Sequence, residues 1–259
     1  MTERQPTPRD IARAIDRDEF HLAYQPQVEV TSGRLCGVEV LARWRHPRLG
    51  VVPPSIFVPV AEQTRLIDRL TEWIVRTALQ QATEWRDARL EISIAINISP
   101  ANLTFFELPD LLTDLCAKFE VPPQQLTIEI TEGTAQHMVS LMDNLSRFRL
   151  KGMKVSLDDF GTGYSSIARL HQLPFSEIKI DQSFVSDIHR SRDSRAVTKA
   201  IIELAHALDM TSLGEGVESQ EALDVLAELG CDKAQGHYIG RPMAGDELLR
   251  WAQSRPSFP

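Results

Sequence analysis

The sequence predicts an α/β protein, a TIM-type (β/α)8 barrel whose first strand runs antiparallel to its second. Short apolar strand patterns alternate with amphipathic helix patterns along nearly the whole chain. Eight strand segments are found, and from the second onward each is followed by a helix. The length of 259 residues matches the roughly 250 residues that one such barrel uses.

Residues 1–19 read as an N-terminal lead-in and 20–259 as the barrel domain. Strands are expected over 20–30 and 35–43, on either side of the turn signal Thr31-Ser32-Gly33. So short a connection forces an antiparallel pair. A helix is expected over 61–85, with Leu66, Leu70, Ile74, Ala78 and Ala82 on one face. A strand follows at 92–97, then a helix at 108–119 that Pro122-Pro123 stops. The next strand is 126–131, and the helix after it turns Leu141, Leu145 and Phe148 inward and ends at Gly152. A strand at 153–158 leads to a short helix near 165–171, and another strand lies at 177–181. The following helix groups Val197, Ile201, Leu204, Ala205 and Leu208. A strand at 210–215 precedes a helix capped by Ser219 and closed by Gly230, with Leu223 and Leu226 inward. The last strand is expected at 232–238 and the last helix at 246–253.

Composition restricts the function class. Hydrophobic residues make up 42% and charged residues 25%, ordinary for a globular domain. The net charge of −8 argues against a partner that is a DNA or RNA duplex or an anionic membrane. It does not argue against a small anionic ligand, because bound cations reverse the sign of an acidic pocket. No apolar run approaches the roughly 20 residues of a spanning helix, and the N-terminal MTERQPTPRD has no signal core, so no membrane insertion is expected. Cys36, Cys116 and Cys231 are odd in number and far apart. They read as reduced thiols of a cytoplasmic protein.

Polar residues collect near the C-terminal ends of the strands, where barrel enzymes place their active sites. They are Glu39, Asn97, Glu129 followed by Glu132, Asp158 with Asp159, Lys179, Glu215 and Gln235. Such residues are costly inside a barrel strand unless paired or bound to something. Carboxylates and an amide oxygen without clustered His or Cys form a hard ligand set suited to Mg²⁺, Mn²⁺ or Ca²⁺. Asp158 and Asp159 repel unless a cation lies between them, and with Glu39, Asn97 and Glu129 they suffice for two ions. Gly161-Thr162-Gly163 matches neither the P-loop nor the dinucleotide fingerprint and reads as a tight turn.

At this point the chain resembles the EAL-domain phosphodiesterases of bacterial cyclic di-GMP signalling. The resemblance runs from about Phe20 to Met243. It rests on YQP at 24–26, Glu39-Val40-Leu41 with Arg43, NISP at 97–100 and EITE at 129–132. DDFGTGYSS at 158–166, KID at 179–181, EGVE at 215–218 and QG at 235–236 complete the series. Val40 and Gly214 depart from the family, which usually has Ala at both places.

The resemblance implies a hydrolase that opens cyclic di-GMP to linear 5′-pGpG with Mg²⁺ or Mn²⁺, two per site, while Ca²⁺ binds and inhibits. It implies metal ligands at Glu39, Asn97, Glu129, Asp158 and Asp159. Glu215 and Gln235 belong to the same shell, Gln235 through water. It places Lys179 beside the attacking water, with Glu215 holding it, and gives Glu132 the task of fixing the loop after the fifth strand. Gln25, Leu41 and Arg43 become substrate contacts. It also allows a homodimer and a regulatory domain or partner. A receptor that binds without turnover, another metal-dependent barrel enzyme and an inert barrel are the competing readings, separated by turnover assays and substrate screening.

Overall fold

The computed structural model describes residues 6–17, 19–131, 142–162, 170 and 172–254. Among these, the strands are β1 (Phe20–Glu29), β2 (Leu35–His46), β3 (Gly50–Val52), β4 (Ser93–Asn97) and β5 (Leu126–Thr131). They continue with β6 (Lys154–Phe160), β7 (Glu177–Ile180), β8 (Thr211–Gly214) and β9 (Lys233–Gln235). Their order is β1-β9-β8-β7-β6-β5-β4-β2-β3, and β1 also pairs with β2, so eight strands close into a ring. β1 is antiparallel to both its neighbours, while β2 and β4 to β9 run parallel. The predicted barrel with its reversed first strand is therefore the observed one. β3 is an addition: β2 runs on past the rim to His46 and folds back on it as a hairpin.

The alternation of side chains along each strand divides the residues between two environments. Val38, Val40, Ile94, Ile96, Ile128, Val155, Leu157, Ile178 and Ile180 are buried in one continuous apolar core beneath the helices. The positions between them face the lumen. Barrel lumens are usually filled by branched apolar residues. Here Gln27, Glu39, Glu129, Ser156, Glu177, Lys179 and Gln235 are buried instead. A polar lumen must be internally paired, and that requirement builds the site.

The helices are α1 (Pro8–Asp16), α2 (Pro54–Gln63), α3 (Ile67–Asp87), α4 (Leu108–Lys118) and α5 (Met142–Leu150). They are followed by α6 (Gln182–Val185), α7 (Arg192–Ala207), α8 (Gln220–Glu228) and α9 (Gly245–Ser254). The single helix expected over 61–85 is two helices, broken where Arg65 takes a left-handed φ of 57°. Val197, expected to face inward on α7, is 37% exposed; Ile201, Ile202 and Ala205 carry that packing. Ser219 caps α8 by accepting from the Ala222 amide at 3.2 Å, as its position predicted. Leu141 and most of the segment 165–171 lie outside the described residues.

The lead-in contains α1, started by a capping box in which the Thr7 and Asp10 side chains each accept from the other residue's backbone. Its Ile11 and Ala14 join Phe20, Trp44, Val52, Phe57 and Leu70 in a second core. Phe20 stacks on Trp44 with ring centroids 5.1 Å apart, and the Trp44 indole donates to Glu19 at 3.2 Å. This satellite core stiffens the part of the β1–β2 ribbon that rises above the barrel and carries Leu41 and Arg43.

Candidate active site

Period two along β7 sends Glu177 and Lys179 into the lumen, and the parallel strands β5 and β6 send in Glu129 and Asp158. Lys179 is 0% exposed and lies at the centre. Its Nζ is 2.8 Å from Glu215, 2.9 Å from Asp158, 3.0 Å from Glu129 and 3.9 Å from Glu39. Asp159 takes a left-handed φ of 57° while its amide donates to the Asp158 carboxylate at 3.1 Å. That turn lets adjacent acids share a side, and oxygens of Asp158, Asp159 and Glu215 come within 4.8 Å of one another.

One ammonium among Glu39, Glu129, Asp158, Glu215 and Asp159 leaves a surplus of negative charge in a poorly hydrated space. Both Glu129 oxygens are fully buried and receive no well-directed hydrogen bond, although one lies in ionic contact with Lys179. Burial pushes the Glu129 carboxyl well above the usual range; Lys179 opposes that, while Glu39, Asp158 and Glu215 add to it. Burial likewise raises Glu215 to about 8, against the pull of Lys179. Asp159 is raised by burial, Asp158 and Asp181. For Lys179 burial acts downward, but the surrounding carboxylates prevail and hold it well above its ordinary value. Acceptor-only oxygens with too few donors are the environment a hard divalent cation satisfies, so these residues fit such an ion.

Two amides grip Glu39. Asn97 donates to one carboxylate oxygen at 2.8 Å and Gln235 to the other at 2.5 Å. The Gln235 amide oxygen accepts from Gln27 at 2.9 Å. Its amino group also reaches Gln25 at 3.1 Å. Above this level Leu41 and Arg43 line a cavity of about 370 Å³ between β2, α2 and α3, with Pro54, Phe57, Ile74 and Asn97. Among the described residues Arg43 has no ion pair with a carboxylate, and its guanidinium donates to the Ala42 carbonyl at 3.1 Å. A second, acidic cavity of about 220 Å³ is lined by Gln25, Glu39, Asp159, Glu215 and Gln235. The structure thus brings together the predicted residues apart from Glu132, which lies outside the described residues.

Asp181, Glu218 and His237 also line the acidic cavity; the first two fall in the KID and EGVE motifs, but none of the three was given a site role from the sequence. Asp181 had a usable signal, since it stands two residues beyond Lys179 on the same strand face. It caps α6 by accepting from the Ser183 amide at 3.0 Å.

The EAL domain family model matches residues 8–242. The chain belongs to the EAL domain family. This EAL domain is 40% identical over 245 residues to the cyclic di-GMP phosphodiesterase RocR of Pseudomonas aeruginosa, covering 94% of this chain and 62% of that protein. The structure of the PaMucR phosphodiesterase in its c-di-GMP complex aligns with a TM-score of 0.87 at 36% identity, over 93% of this chain and 98% of the other. An EAL domain protein of Listeria monocytogenes aligns at 0.82 with 29% identity, over 96% and 99%. The chain spans 29–62% of the length of the curated relatives it matches. One departure from the EAL pattern has a packing reason. A Cβ on Gly214 would lie 2.7 Å from a methyl of Leu226, so this EAL domain fills with leucine the space an alanine would need.

Proposed function

We propose that this EAL domain hydrolyses one phosphodiester of cyclic di-GMP, giving linear 5′-pGpG. The observation that carries the reading is the buried lysine amid four carboxylates, with the two Glu129 oxygens lacking hydrogen-bond donors. Glu39, Asn97 through its amide oxygen, Glu129, Asp158, Asp159 and Glu215 would hold Mg²⁺ or Mn²⁺, two per site. When bound, such ions lower the pKa of water and offset charge on phosphate oxygens. Lys179 would orient the attacking water or help deprotonate it, from a position set by its contacts with Glu215, Asp158 and Glu129. Glu215 fixes Lys179 from the solvent side. The planar guanidinium of Arg43 pairs with a phosphate, and the apolar cavity at Leu41 and Phe57 accepts a guanine face. Gln25 borders the acidic cavity that takes the scissile phosphate.

Ca²⁺ fits the same oxygen ligands and, polarising water less, inhibits. Free thiols at Cys36, Cys116 and Cys231 accord with a cytoplasmic location, and among the described residues no helix is long and apolar enough to cross a membrane. A homodimer and a regulatory domain or partner belong to the same proposal. The test is Glu129→Gln. It keeps the shape, removes a ligand charge, and is expected to abolish metal-dependent production of pGpG and to weaken Mn²⁺ binding. A variant with near-normal rates contradicts the assignment.

A further inference from the structure

We infer that Gln27 is a positioning residue for the metal-binding carboxylate of Glu39, acting through the amide of Gln235; the inference rests on the cation site proposed above. Gln27 lies in the lumen one side-chain layer below Glu39 and is 3% exposed. It carries no charge, touches neither Lys179 nor any of the clustered carboxylates, and belongs to no motif read from the sequence. Its place in a chain of directed hydrogen bonds gives it a role. Gln27 donates from Nε2 to Gln235 Oε1 at 2.9 Å. Gln235 then donates from Nε2 to Glu39 Oε2 at 2.5 Å and to Gln25 Oε1 at 3.1 Å.

The direction of this chain is fixed by chemistry. An ionised carboxylate only accepts, so Gln235 must turn its amino group to Glu39. Its two N–H bonds then serve Glu39 and Gln25, and its oxygen is left pointing down the lumen. A buried amide oxygen there needs a donor, and Gln27 supplies it. Without that donor the Gln235 oxygen is left unsatisfied and the amide is held from one end only, so the hydrogen bond that sets the Glu39 carboxylate loses its support.

The backbone explains how Gln27 reaches this position. The β1–β2 register slips after Gln27, which pairs with Gly37 while Val28 pairs with Leu35, leaving Cys36 as the extra residue of a bulge. The Cys36 thiol donates to the Gln27 carbonyl at 3.3 Å. The Gln27 side chain lies over Gly37, where a Cβ would be 2.9 Å from Gln27 Oε1 and 3.2 Å from the Ser93 carbonyl. Bulge and glycine together make room for a glutamine inside the barrel and aim it at Gln235.

Residues that orient a metal ligand typically change metal affinity by about 10- to 100-fold when lost. The test uses Mn²⁺ alone, titrated into the metal-free chain and followed by the electron paramagnetic resonance of free Mn²⁺. Wild type, Gln27→Met, Gln235→Met and the double variant are compared. Gln27→Met has nearly the same length and no donor. It is expected to bind Mn²⁺ about 10-fold more weakly, with a melting temperature in EDTA near that of wild type. The double variant is expected to bind no more weakly than Gln235→Met, because the two residues act in series. In turnover, Gln27→Met is expected to regain its rate at high Mn²⁺ with an unchanged KM for the cyclic dinucleotide. If it melts far below wild type, Gln27→Glu replaces it, keeping the shape and setting an acceptor against the Gln235 oxygen; the same loss is expected.

Unchanged Mn²⁺ affinity in these variants, beside a wild type that binds, overturns the inference and leaves the functional reading standing. Additive losses in the double variant also overturn it. A wild type that binds no Mn²⁺ overturns both.

Discussion

Replacing Lys179 with methionine is the most informative perturbation of the metal-free protein. It removes the one cation from a cluster in which Nζ lies 2.8 to 3.0 Å from Glu215, Asp158 and Glu129. Glu129 is 0% exposed and cannot reach water. Leaving a buried charge unpaired costs about 3–5 kcal/mol. The loss is therefore about 4 kcal/mol, or roughly 8–16 °C in melting temperature for a chain of this size.

The pH dependence has a definite sign. The folded pKa of Glu129 is already raised by burial, and removing Lys179 removes the influence that lowers it. A raised folded pKa gives stability that is present below the unfolded pKa and lost as pH rises towards the folded one. Relative to wild type, the variant should lose roughly 1.4 kcal/mol per pH unit between the wild-type folded pKa of Glu129 and the variant's still higher one. Calorimetric melts of both proteins in EDTA across pH 5 to 8 measure this. Adding Mn²⁺ should raise the melting temperature of the variant more than that of wild type, because the ion supplies the missing charge. A variant that melts with wild type at pH 7, or gains stability as pH rises, refutes the reasoning.

Further outcomes follow from the same geometry. Arg43→Ala is expected to lower kcat/KM roughly 10- to 150-fold, the worth of a hydrogen bond to a charged group, and Arg43→Lys should restore only part of it in the same steady-state assay. Gly214→Ala should cost about 1–3 kcal/mol by overpacking against Leu226. Combining it with Leu226→Val should return most of that cost in thermal melts, and simple additivity would contradict the packing argument. Ca²⁺ titrated against Mn²⁺ should suppress pGpG formation while competing for the ion site in the binding assay; Ca²⁺-supported turnover at the Mn²⁺ rate would count against it.

The barrel was legible because strand alternation is written directly into the residues. Val38 and Val40 flank Glu39, and Ile178 and Ile180 flank Lys179, so one face of each strand had to be apolar and the other had to be paired. The acids were found for the same reason, since each stands near a predicted strand end. What was missed depends on contacts that no local pattern reports. Helix α1 buries only Ile11 and Ala14, too little apolar spacing to mark it within a polar lead-in. The break before Ile67 depends on a left-handed Arg65, a residue type with no preference for that conformation. β3 has three residues and exists because β2 extends to meet it. The lower lumen, where Glu177 pairs with Lys233 at 2.7 Å and accepts from Ser156 at 3.0 Å, lies away from the strand ends that drew attention. Gln27 needs the bulge at Cys36 to be aimed at Gln235, and a register slip of that kind is visible only once the strands are paired.

The central claim is tested most directly by chromatographic analysis of cyclic di-GMP incubated with the purified chain in Mg²⁺, in Mn²⁺ and in EDTA. The account predicts linear pGpG with either ion and none with EDTA. Unchanged substrate in both metals, or product formed equally in EDTA, contradicts it.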